Sequence, residues 1–377
     1  MRKVAVIFGG KSCENEISVL TGVFVLNVLG REKYDVTPVY LDTDGKAYTS
    51  PEMYNLDVFK RGDVTLLKRV FFEDGYLWEL KEKGTGGKVK KLVKVDCAFN
   101  CCHGGLGEGG GVSALMEMNG IPLASPSVLP SAVFLDKAAS KLIAAALNIP
   151  TVDYIRVQEN DYKKRGRFLL RSIGSRLKYP VVIKPARLGS SIGITLAKNE
   201  DEVKSGLDAA FLLDDKVVIE KYLEDKSDVN CAAYKANGEI FVSDVEVASS
   251  KDGIYTFSEK YLKNGESAKG GGRAGNNSRL DGDTVKKIKA YTKTLYKRMD
   301  LNGVVRVDYL VQGKEVYLSE VNTVPGSLAY YLFCERVTDA REFFFALIEE
   351  GIFQKNEKGV LGTGILQKVR LNGKVRL

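Results

Sequence analysis

Apolar and polar positions in the first third of the chain follow a pattern typical of strands alternating with helices. Apolar strand-like runs open the chain at 4–8 and return at 35–41, and an amphipathic helix pattern covers 19–29 between them. From 45 to 94 the pattern changes to short strands and turns, and its Lys- and Gly-rich part, 81–91, predicts an exposed loop. We therefore expect an α/β domain that carries an insertion.

Boundaries between domains are indicated by prolines and by one long polar region. Closely spaced prolines end the first part, and a helix pattern over 131–147 follows them. The region 251–280 is rich in Gly, Ser, Lys and Asn, and loops of that length in compact domains are usually functional lids or disordered. The predicted domains are 1–126 with an insertion at 45–94, 127–216, and 217–377 with a lid at 251–280.

Two strand-like runs near the C-terminus, 304–311 and 315–322, are joined by a short Gly-containing turn, which predicts a β-hairpin. Because side chains alternate between faces, one face gathers a cation and three oxygen-bearing groups. These residues are Arg306, Asp308, Glu320 and Asn322. A hard divalent cation would satisfy the three oxygen-bearing groups together, so we predict a magnesium site at Asp308, Glu320 and Asn322. The alternative is a solvated face of an exposed hairpin.

A Gly/Ser loop lies between two strand patterns in the centre of the chain. The apolar run 179–185 contains Lys184, and the loop that follows contains Gly189, Ser190 and Ser191. Backbone N–H groups and hydroxyls without bulky side chains suit a polyphosphate, and Lys184 would add a point charge at the base of the loop. The segment is not a P-loop, since no G-x-x-x-x-G-K-[ST] occurs. An ordinary glycine turn is the alternative.

A third segment, 216–224, reads as an apolar strand that runs into alternating polar and apolar residues. Such a segment can offer an adenine ring an apolar slot and backbone partners, with the Glu220 carboxylate as acceptor for the exocyclic amine. An ordinary strand with surface charges is the alternative, and the segment indicates nucleotide binding only in combination with the hairpin and the Gly/Ser loop.

Together the three segments, in this order and spacing, resemble the ATP-grasp superfamily. The N-terminal half, with its GGKSCENEIS turn at 9–18, is similar to the D-alanine–D-alanine ligase family within it. Further matching segments follow in family order: His103-Gly104-Gly105, Gly107-Glu108-Gly109-Gly110, Glu117, Gly120-Ile121-Pro122, Asp136-Lys137, Lys184-Pro185 through Gly193, Glu220-Lys221, Lys260-Tyr261, Arg306-x-Asp308 and Glu320-x-Asn322-Thr323-x-Pro325-Gly326. The resemblance covers roughly residues 3 to 350.

The resemblance implies an α/β fold, α+β in its C-terminal part, in which a Rossmann-like N-terminal domain precedes two ATP-grasp subdomains that sandwich ATP. It also implies an ATP-dependent ligase that joins two D-amino acids, D-alanine in both positions, through an acylphosphate for peptidoglycan precursor synthesis. The implied cofactors are ATP and Mg²⁺ or Mn²⁺. A homodimer is implied as well.

Residue roles carry over by position in the matching motifs. The implied catalytic residues are Glu14, Ser190, Tyr261, Arg306 and Gly326. The implied ATP-binding residues are Lys137, Lys184, Gly189, Ser190, Ser191, Glu220, Lys221, Leu223, Asp228 and Lys260. The implied metal ligands are Asp308, Glu320 and Asn322, and the implied substrate contacts are Glu14, His103, Tyr331 and Leu332.

The chain departs from the family pattern in three places. The family's G-E-D-G is Gly107-Glu108-Gly109-Gly110 here, and the ribose-binding acid appears as Asp228 after one extra residue. The family's Met-Thr and His-Ser pairs after Pro-Gly are replaced in the segment 327–332, where Tyr331 takes the place of a serine. This leaves open a related ligase with a different second substrate, or a nucleotide-binding homologue that has lost ligation.

Composition limits the other classes of function. No run of about eighteen apolar residues occurs and the chain enters a strand at once, so we expect a cytoplasmic protein without a membrane segment. The six cysteines have no zinc spacing. The formal charge of +8 comes from scattered lysines, which argues against nucleic acid and suits an anionic small substrate. A G-x-G-x-x-G match at 105–110 would suit a dinucleotide fold but lacks the acidic partner about twenty residues on.

Overall fold

The computed structural model describes residues 1–30, 32–60, 62, 67–83, 86–248 and 280–354. The predicted lid, apart from residue 280, lies outside the described residues, and so does the basic C-terminal tail from 355 onward. Three separate sheets make up the described fold.

The N-terminal sheet has the strand order β6-β5-β4-β3-β2-β1-β7. Its strands are β1 (Arg2–Gly9), β2 (Tyr34–Leu41), β3 (Ala47–Thr49), β4 (Lys68–Glu73), β5 (Tyr76–Lys83), β6 (Gly86–Lys94) and β7 (Cys97–Asn100). The helices of this part are α1 (Asn15–Leu29), α2 (Asp57–Lys60) and α3 (Val112–Met118). Strand β1 runs parallel to β2 and β7, while β3 to β6 extend the sheet as antiparallel hairpins. The parallel part is the α/β unit expected from the periodicity.

The prediction of a loop at 81–91 is wrong in the described part of that segment, although residues 87–91 are exposed as expected. Strands β5 and β6 extend through it and pair from Tyr76 with Lys94 to Lys83 with Gly86, with one shift of register between Leu77 and Trp78. Lysine has a low strand propensity, but cross-strand contacts outweigh it here. The Lys91 ammonium, for example, lies 3.7 Å from the centroid of the Tyr76 ring.

The central sheet has the order β10-β9-β11-β8. Its strands are β8 (Tyr154–Gln158), β9 (Val181–Pro185), β10 (Thr195–Ala197) and β11 (Lys216–Lys221), and the helices near it are α4 (Val128–Leu135), α5 (Lys137–Ala146), α6 (Glu159–Leu177) and α7 (Glu200–Ala210). The helix predicted at 131–147 is two helices, because Asp136 leaves the helical conformation and caps α5. Its Oδ1 accepts hydrogen bonds from the N–H groups of Ala138 and Ala139 at 2.9 and 3.1 Å.

The C-terminal sheet has the order β13-β12-β15-β16, and β14 pairs with β12. Its strands are β12 (Ser227–Ala236), β13 (Glu239–Val242), β14 (Glu246–Ala248), β15 (Val304–Gln312) and β16 (Glu315–Asn322). The remaining helices are α8 (Gly282–Arg298), which precedes β15 in the chain, and α9 (Ala340–Phe353), which follows β16. Strand β11 pairs with the central sheet, so a boundary at 216/217 would cut that sheet. The division into three domains stays a prediction.

Helix α9 belongs to the N-terminal core although it comes last in the described chain. The ring centroids of Phe344 and Phe99 lie 5.8 Å apart, and those of Phe345 and Tyr34 lie 5.1 Å apart. These edge-to-face contacts join α9 to strands β7 and β2. The last described helix therefore packs against the first strands of the chain, and the segment after β16 lies next to α1.

Candidate active site

The hairpin face carries its four polar side chains together, as the alternation predicts. The register places Asp308 opposite Glu320 and Arg306 opposite Asn322. Arg306 donates from Nε and Nη2 to the two oxygens of Asp308, at 2.7 and 2.9 Å, and the Asn322 amide donates to Asp308 at 3.1 Å. The guanidinium and the amide therefore fix the orientation of the Asp308 carboxylate.

A β-bulge decides which residues of β16 reach this face. The register shifts so that Glu320 faces Asp308 while Leu318 faces Tyr309, which leaves Ser319 as an extra residue. Leu318 is fully buried in the core, whereas Glu320 is partly exposed on the polar face. Without the bulge, residues 318 and 320 would share one face. Alternation of side chains along the sequence does not reveal this irregularity.

Lys137 connects the hairpin face to the Gly/Ser loop. It begins helix α5, and its ammonium donates to the carbonyl of Leu188. The same ammonium lies 3.5 Å from Glu320 Oε2. One buried lysine therefore joins two segments that the sequence assigned separately to phosphate and to metal.

The Gly/Ser loop closes on Glu14 from the opening turn of the chain. The Ser190 hydroxyl donates to the Glu14 carboxylate, and Ser190 and Ser191 both have a left-handed backbone, with φ of 52° and 61°. Glycines surround the carboxylate: a Cβ added at Gly189 would lie 2.7 Å from Glu14 Oε2, and one added at Gly104 would lie 2.6 Å from it. The loop therefore needs glycine where it approaches Glu14, because a Cβ atom there would collide with the carboxylate. The two serines beside it adopt a strained, left-handed backbone.

Glu220 lies between two lysines. Its carboxylate is 2.6 Å from the Lys184 ammonium and 2.8 Å from the Lys141 ammonium. Burial alone would raise the pKa of Glu220, but the two lysine charges hold that pKa at about 2. Lys141 was not among the predicted residues, although its position one helical turn after Lys137 could have indicated it.

His103 is held through both of its ring nitrogens. Nδ1 lies 2.7 Å from the Val324 carbonyl oxygen, and Nε2 lies 2.7 Å from the Thr21 hydroxyl. Burial lowers the pKa of His103 to about 4, so the ring is neutral and donates from Nδ1 while Nε2 accepts. Both ring nitrogens of His103 have protein partners in this structure, and the expected contact of His103 with substrate stays a prediction.

Glu108 is a second residue to which sequence analysis gave no role. Its carboxylate accepts from the N–H of Gly104 at 2.8 Å, of Thr323 at 3.1 Å and of Val324 at 3.2 Å. Burial and the nearby charge of Glu14 raise the pKa of Glu108 to about 7. The family motif around it was recognised, but only the tertiary structure shows that it reaches the end of β16.

The segment after Pro325-Gly326 has an unusual backbone. Ser327, Leu328 and Ala329 have φ of 48°, 53° and 48°, a left-handed turn made of three residues other than glycine. Such residues cost roughly 1–2 kcal/mol each, so the packing around them must hold them in place. Leu328 and Ala329 are buried, and the N–H of Ser327 donates to the Thr21 hydroxyl at 3.4 Å.

Tyr331 lies at the hairpin face, where its hydroxyl accepts from Arg306 Nη1 at 3.3 Å. Leu332 is buried within the N-terminal core cluster, so the structure gives it packing partners and a substrate role for it stays a prediction. On the nucleotide side Lys221 is exposed, Leu223 is buried, and Asp228 pairs with Lys226 at 2.5 Å. Lys260 and Tyr261 lie outside the described residues.

The three sheets, the Gly/Ser loop and the hairpin face define an ATP-grasp ligase. Comparison with known families narrows this class. A profile described as D-ala D-ala ligase N-terminus matches residues 3–126, and one described as D-ala D-ala ligase C-terminus matches residues 143–352. The chain belongs to the D-alanine–D-alanine ligase family. The predictions of the family, of the fold class and of a ligase enzyme are therefore confirmed, and ATP use with small-molecule substrates agrees with them.

Relatives match along most of their length. A D-alanine–D-alanine ligase of Thermosipho melanesiensis is 30% identical over 97% of this chain and 99% of its own, and one of Caldicellulosiruptor bescii is 33% identical over 86% of each chain. The solved D-alanine–D-alanine ligase of Helicobacter pylori has a TM-score of 0.73 at 26% identity, covering 96% of this chain and 100% of its own. The VanG D-Ala:D-Ser ligase of Enterococcus faecalis has a TM-score of 0.73 at 25% identity, covering 94% and 99%.

Within the described ranges, no helix combines the length and the apolar character needed to cross a bilayer.

Proposed function

We propose that this chain ligates D-alanine to a second amino acid, D-alanine first among the candidates, with hydrolysis of ATP to ADP and phosphate. A continuous set of contacts carries the proposal. Glu14 meets Ser190 of the Gly/Ser loop, Leu188 of that loop accepts from Lys137, and Lys137 approaches Glu320 of the hairpin face. An anchor for an ammonium group, a polyphosphate loop and a carboxylate face are thereby joined.

In the first step the carboxylate of one D-alanine attacks the γ-phosphorus of ATP, the bond to the bridging oxygen breaks, and ADP leaves. Phosphoryl transfer depends on alignment and on neutralising charge. Lys137 and Lys184 supply cations from two sides of the Gly/Ser loop. Glu14, whose carboxylate Ser190 orients, is placed to hold the ammonium of the first amino acid.

The hairpin face fits a magnesium ion by the chemistry of its donors. Within the described ranges no group of three or more His, Cys, Asp or Glu side chains is arranged to hold a metal ion, and this face offers two carboxylates and one amide. Magnesium commonly uses one or two carboxylates together with phosphate oxygens and water, so Asp308, Glu320 and Asn322 suffice. The ion, or Mn²⁺ in its place, would neutralise charge on the phosphate oxygens.

In the second step the amine of the second amino acid attacks the acylphosphate carbonyl, and phosphate leaves as the C–O bond breaks. The tetrahedral oxygen needs donors. Arginine has five N–H groups, and among the described residues Arg306 uses three of them on Asp308 and Tyr331, so two remain for a ligand. The backbone N–H of Gly326 is the second donor in this proposal.

The second substrate is the open part of the function. Tyr331 stands where the family pattern has a serine, and its bulkier side chain accepts a hydrogen bond from Arg306 through the phenol hydroxyl. A different second amino acid is therefore the alternative, and the similar VanG enzyme is named as a D-Ala:D-Ser ligase. A homologue without ligation is less favoured, because a nucleotide-binding protein has no use for Arg306 beside Asp308.

Product analysis tests this function directly. The protein is incubated with Mg-ATP, D-alanine and a panel of D- and L-amino acids plus D-lactate, and products are identified by mass spectrometry while phosphate release is followed. We expect an amide product with D-alanine in the first position, a dipeptide that serves peptidoglycan precursor synthesis. No product with any D-amino acid would overturn the proposal, and a dominant ester with D-lactate would overturn amide formation.

Assembly and location complete the proposal. We place the enzyme in the cytoplasm, where ATP is available, as a homodimer. Light scattering coupled to size exclusion gives the mass in solution, and a monomeric mass would contradict the dimer.

A further inference from the structure

Lys141 is a buried lysine that the mechanism above does not use. Its side chain is fully buried on α5, and its ammonium lies 2.8 Å from Glu220 Oε1 and 5.2 Å from the centroid of the Tyr154 ring. The ion pair is close, yet neither the Lys141 Nζ atom nor Glu220 Oε1 meets hydrogen-bond geometry with any partner in the described chain. Lysine is almost never fully buried unless its charge is paired.

The cluster holds more positive than negative charge. Within ion-pair distance, two lysines, Lys141 and Lys184, face one carboxylate, Glu220, so the cluster carries one positive charge in excess when all three groups are ionised. An uncompensated buried charge is costly, so the cluster is suited to receive an anion. The two lysines differ in freedom, because the Lys184 side chain is 12% exposed and that of Lys141 is 0% exposed.

This difference assigns the two lysines separate tasks. Lys184 lies at the end of β9 beside the Gly/Ser loop, so it is the one that can turn toward a polyphosphate. When it turns, Glu220 loses its nearer partner while it stays buried. A buried carboxylate without a counter-ion takes up a proton and becomes a donor, which no longer suits the amine of an adenine ring.

We propose that Lys141 is a positioning residue for nucleotide recognition: it keeps Glu220 charged and in place when Lys184 moves to the phosphates, and so sets the preference for a purine with a 6-amino group. The inference rests on the proposed function, because it takes ATP as the nucleotide. Lys141 itself stays behind Glu220 and does not touch the ligand.

The test compares two nucleotides on the full-length protein. Dissociation constants are measured by calorimetry for Mg-ATP and for the Mg complex of purine riboside triphosphate, which lacks the 6-amino group. We expect the wild type to prefer ATP by about tenfold or more, as for loss of a hydrogen bond to a charged group. Lys141→Met should reduce this preference to about twofold or less.

Control variants separate positioning from folding. Lys141→Met leaves Glu220 paired with Lys184, so the fold should persist, and Leu142→Met on the exposed side of the same helix is the matched control. In a Glu220→Gln background, Lys141→Met should change the preference no further, because Lys141 acts through Glu220. The double variant contains no unpaired buried carboxylate, and it keeps the test valid if the single variant unfolds.

Two results would overturn the inference. One is a Lys141→Met protein that keeps the wild-type preference, or loses affinity equally for both nucleotides. The other is an effect that adds to that of Glu220→Gln. A wild type that prefers ATP but makes no dipeptide would instead remove the proposed function and leave the role of Lys141 standing.

Discussion

The nucleotide side and the second-substrate side of the site are held together in different ways. On the nucleotide side, charged side chains pair with one another, as Lys184 does with Glu220 and Arg306 with Asp308. On the second-substrate side, the backbone of 323–327 is held by side chains from the N-terminal sheet region, His103, Glu108 and Thr21.

The difference separates groups that exchange partners from groups that stay fixed. Lys184 can turn from Glu220 to a phosphate at little electrostatic cost, because one anion replaces another for Lys184 while Lys141 stays beside Glu220. A left-handed turn at 327–329 has no such alternative, since its conformation persists only while its surroundings enforce it. We therefore expect substitutions on the first side to affect chemistry and those on the second to affect stability and substrate selection.

The largest expected effect is that of Glu320→Gln, which removes one carboxylate from the hairpin face and the partner of Lys137. Phosphate release should fall by more than ~100-fold, since loss of a direct metal ligand exceeds the cost of changing an outer-shell partner. The melting temperature without nucleotide should stay close to that of the wild type. Glu315→Gln, exposed at the start of the same strand, is the control. Near-normal turnover of the Glu320 variant would remove the metal assignment.

Arg306→Lys should slow dipeptide formation by about a hundredfold, because it keeps the charge but loses the planar fork that grips Asp308 and serves the oxyanion. Rapid-quench measurement of the condensation step gives this number. Arg336→Lys is the matched control, since Arg336 forms a two-point pair with Asp339 on the protein surface. Equal effects of the two substitutions would contradict a catalytic role for Arg306.

The pH dependence of stability should change in Glu108→Gln. The folded-state pKa of Glu108 is raised to about 7 by burial and by the charge of Glu14. The stabilisation from this acid is complete below its unfolded pKa and is lost as pH rises through about 7. Discounted for partial exposure, we expect the wild type to lose on the order of 2 kcal/mol relative to the variant between pH 5 and 8.

Urea unfolding at both pH values measures this difference. Glu117→Gln in the exposed part of the following helix is the control. Parallel pH profiles for the wild type and Glu108→Gln would refute the assignment of the titration to Glu108.

The smallest expected effect is that of Thr21→Val, which preserves shape but removes the hydroxyl between His103 and the N–H of Ser327. The buried His103 Nε2 and the half-buried N–H of Ser327 lose a partner, at a cost of about 1–2 kcal/mol in the free energy of unfolding. The KM for the second amino acid should rise while nucleotide affinity stays unchanged. A change in ATP affinity as large as that in KM would abolish the distinction between the two sides.

The sequence by itself determined the local elements and the chemistry they carry. Short apolar runs predicted strands β1, β2 and β9, and two such runs joined by a Gly-containing turn predicted the β15–β16 hairpin, because these signals lie in neighbouring residues. The alternation of side chains along the hairpin placed Arg306, Asp308 and Asn322 on one face, and the order of motifs identified the family. These inferences need only short-range information.

Only the tertiary structure decided which distant groups meet. Ser190 reaches Glu14 across 176 residues, Glu108 reaches Thr323 across 215, and His103 reaches Val324 across 221. Such pairings depend on how sheets and helices stack. The bulge at Ser319 and the burial of Lys141 were invisible for the same reason, because a single extra residue or a buried charge is selected by packing and not by local propensity.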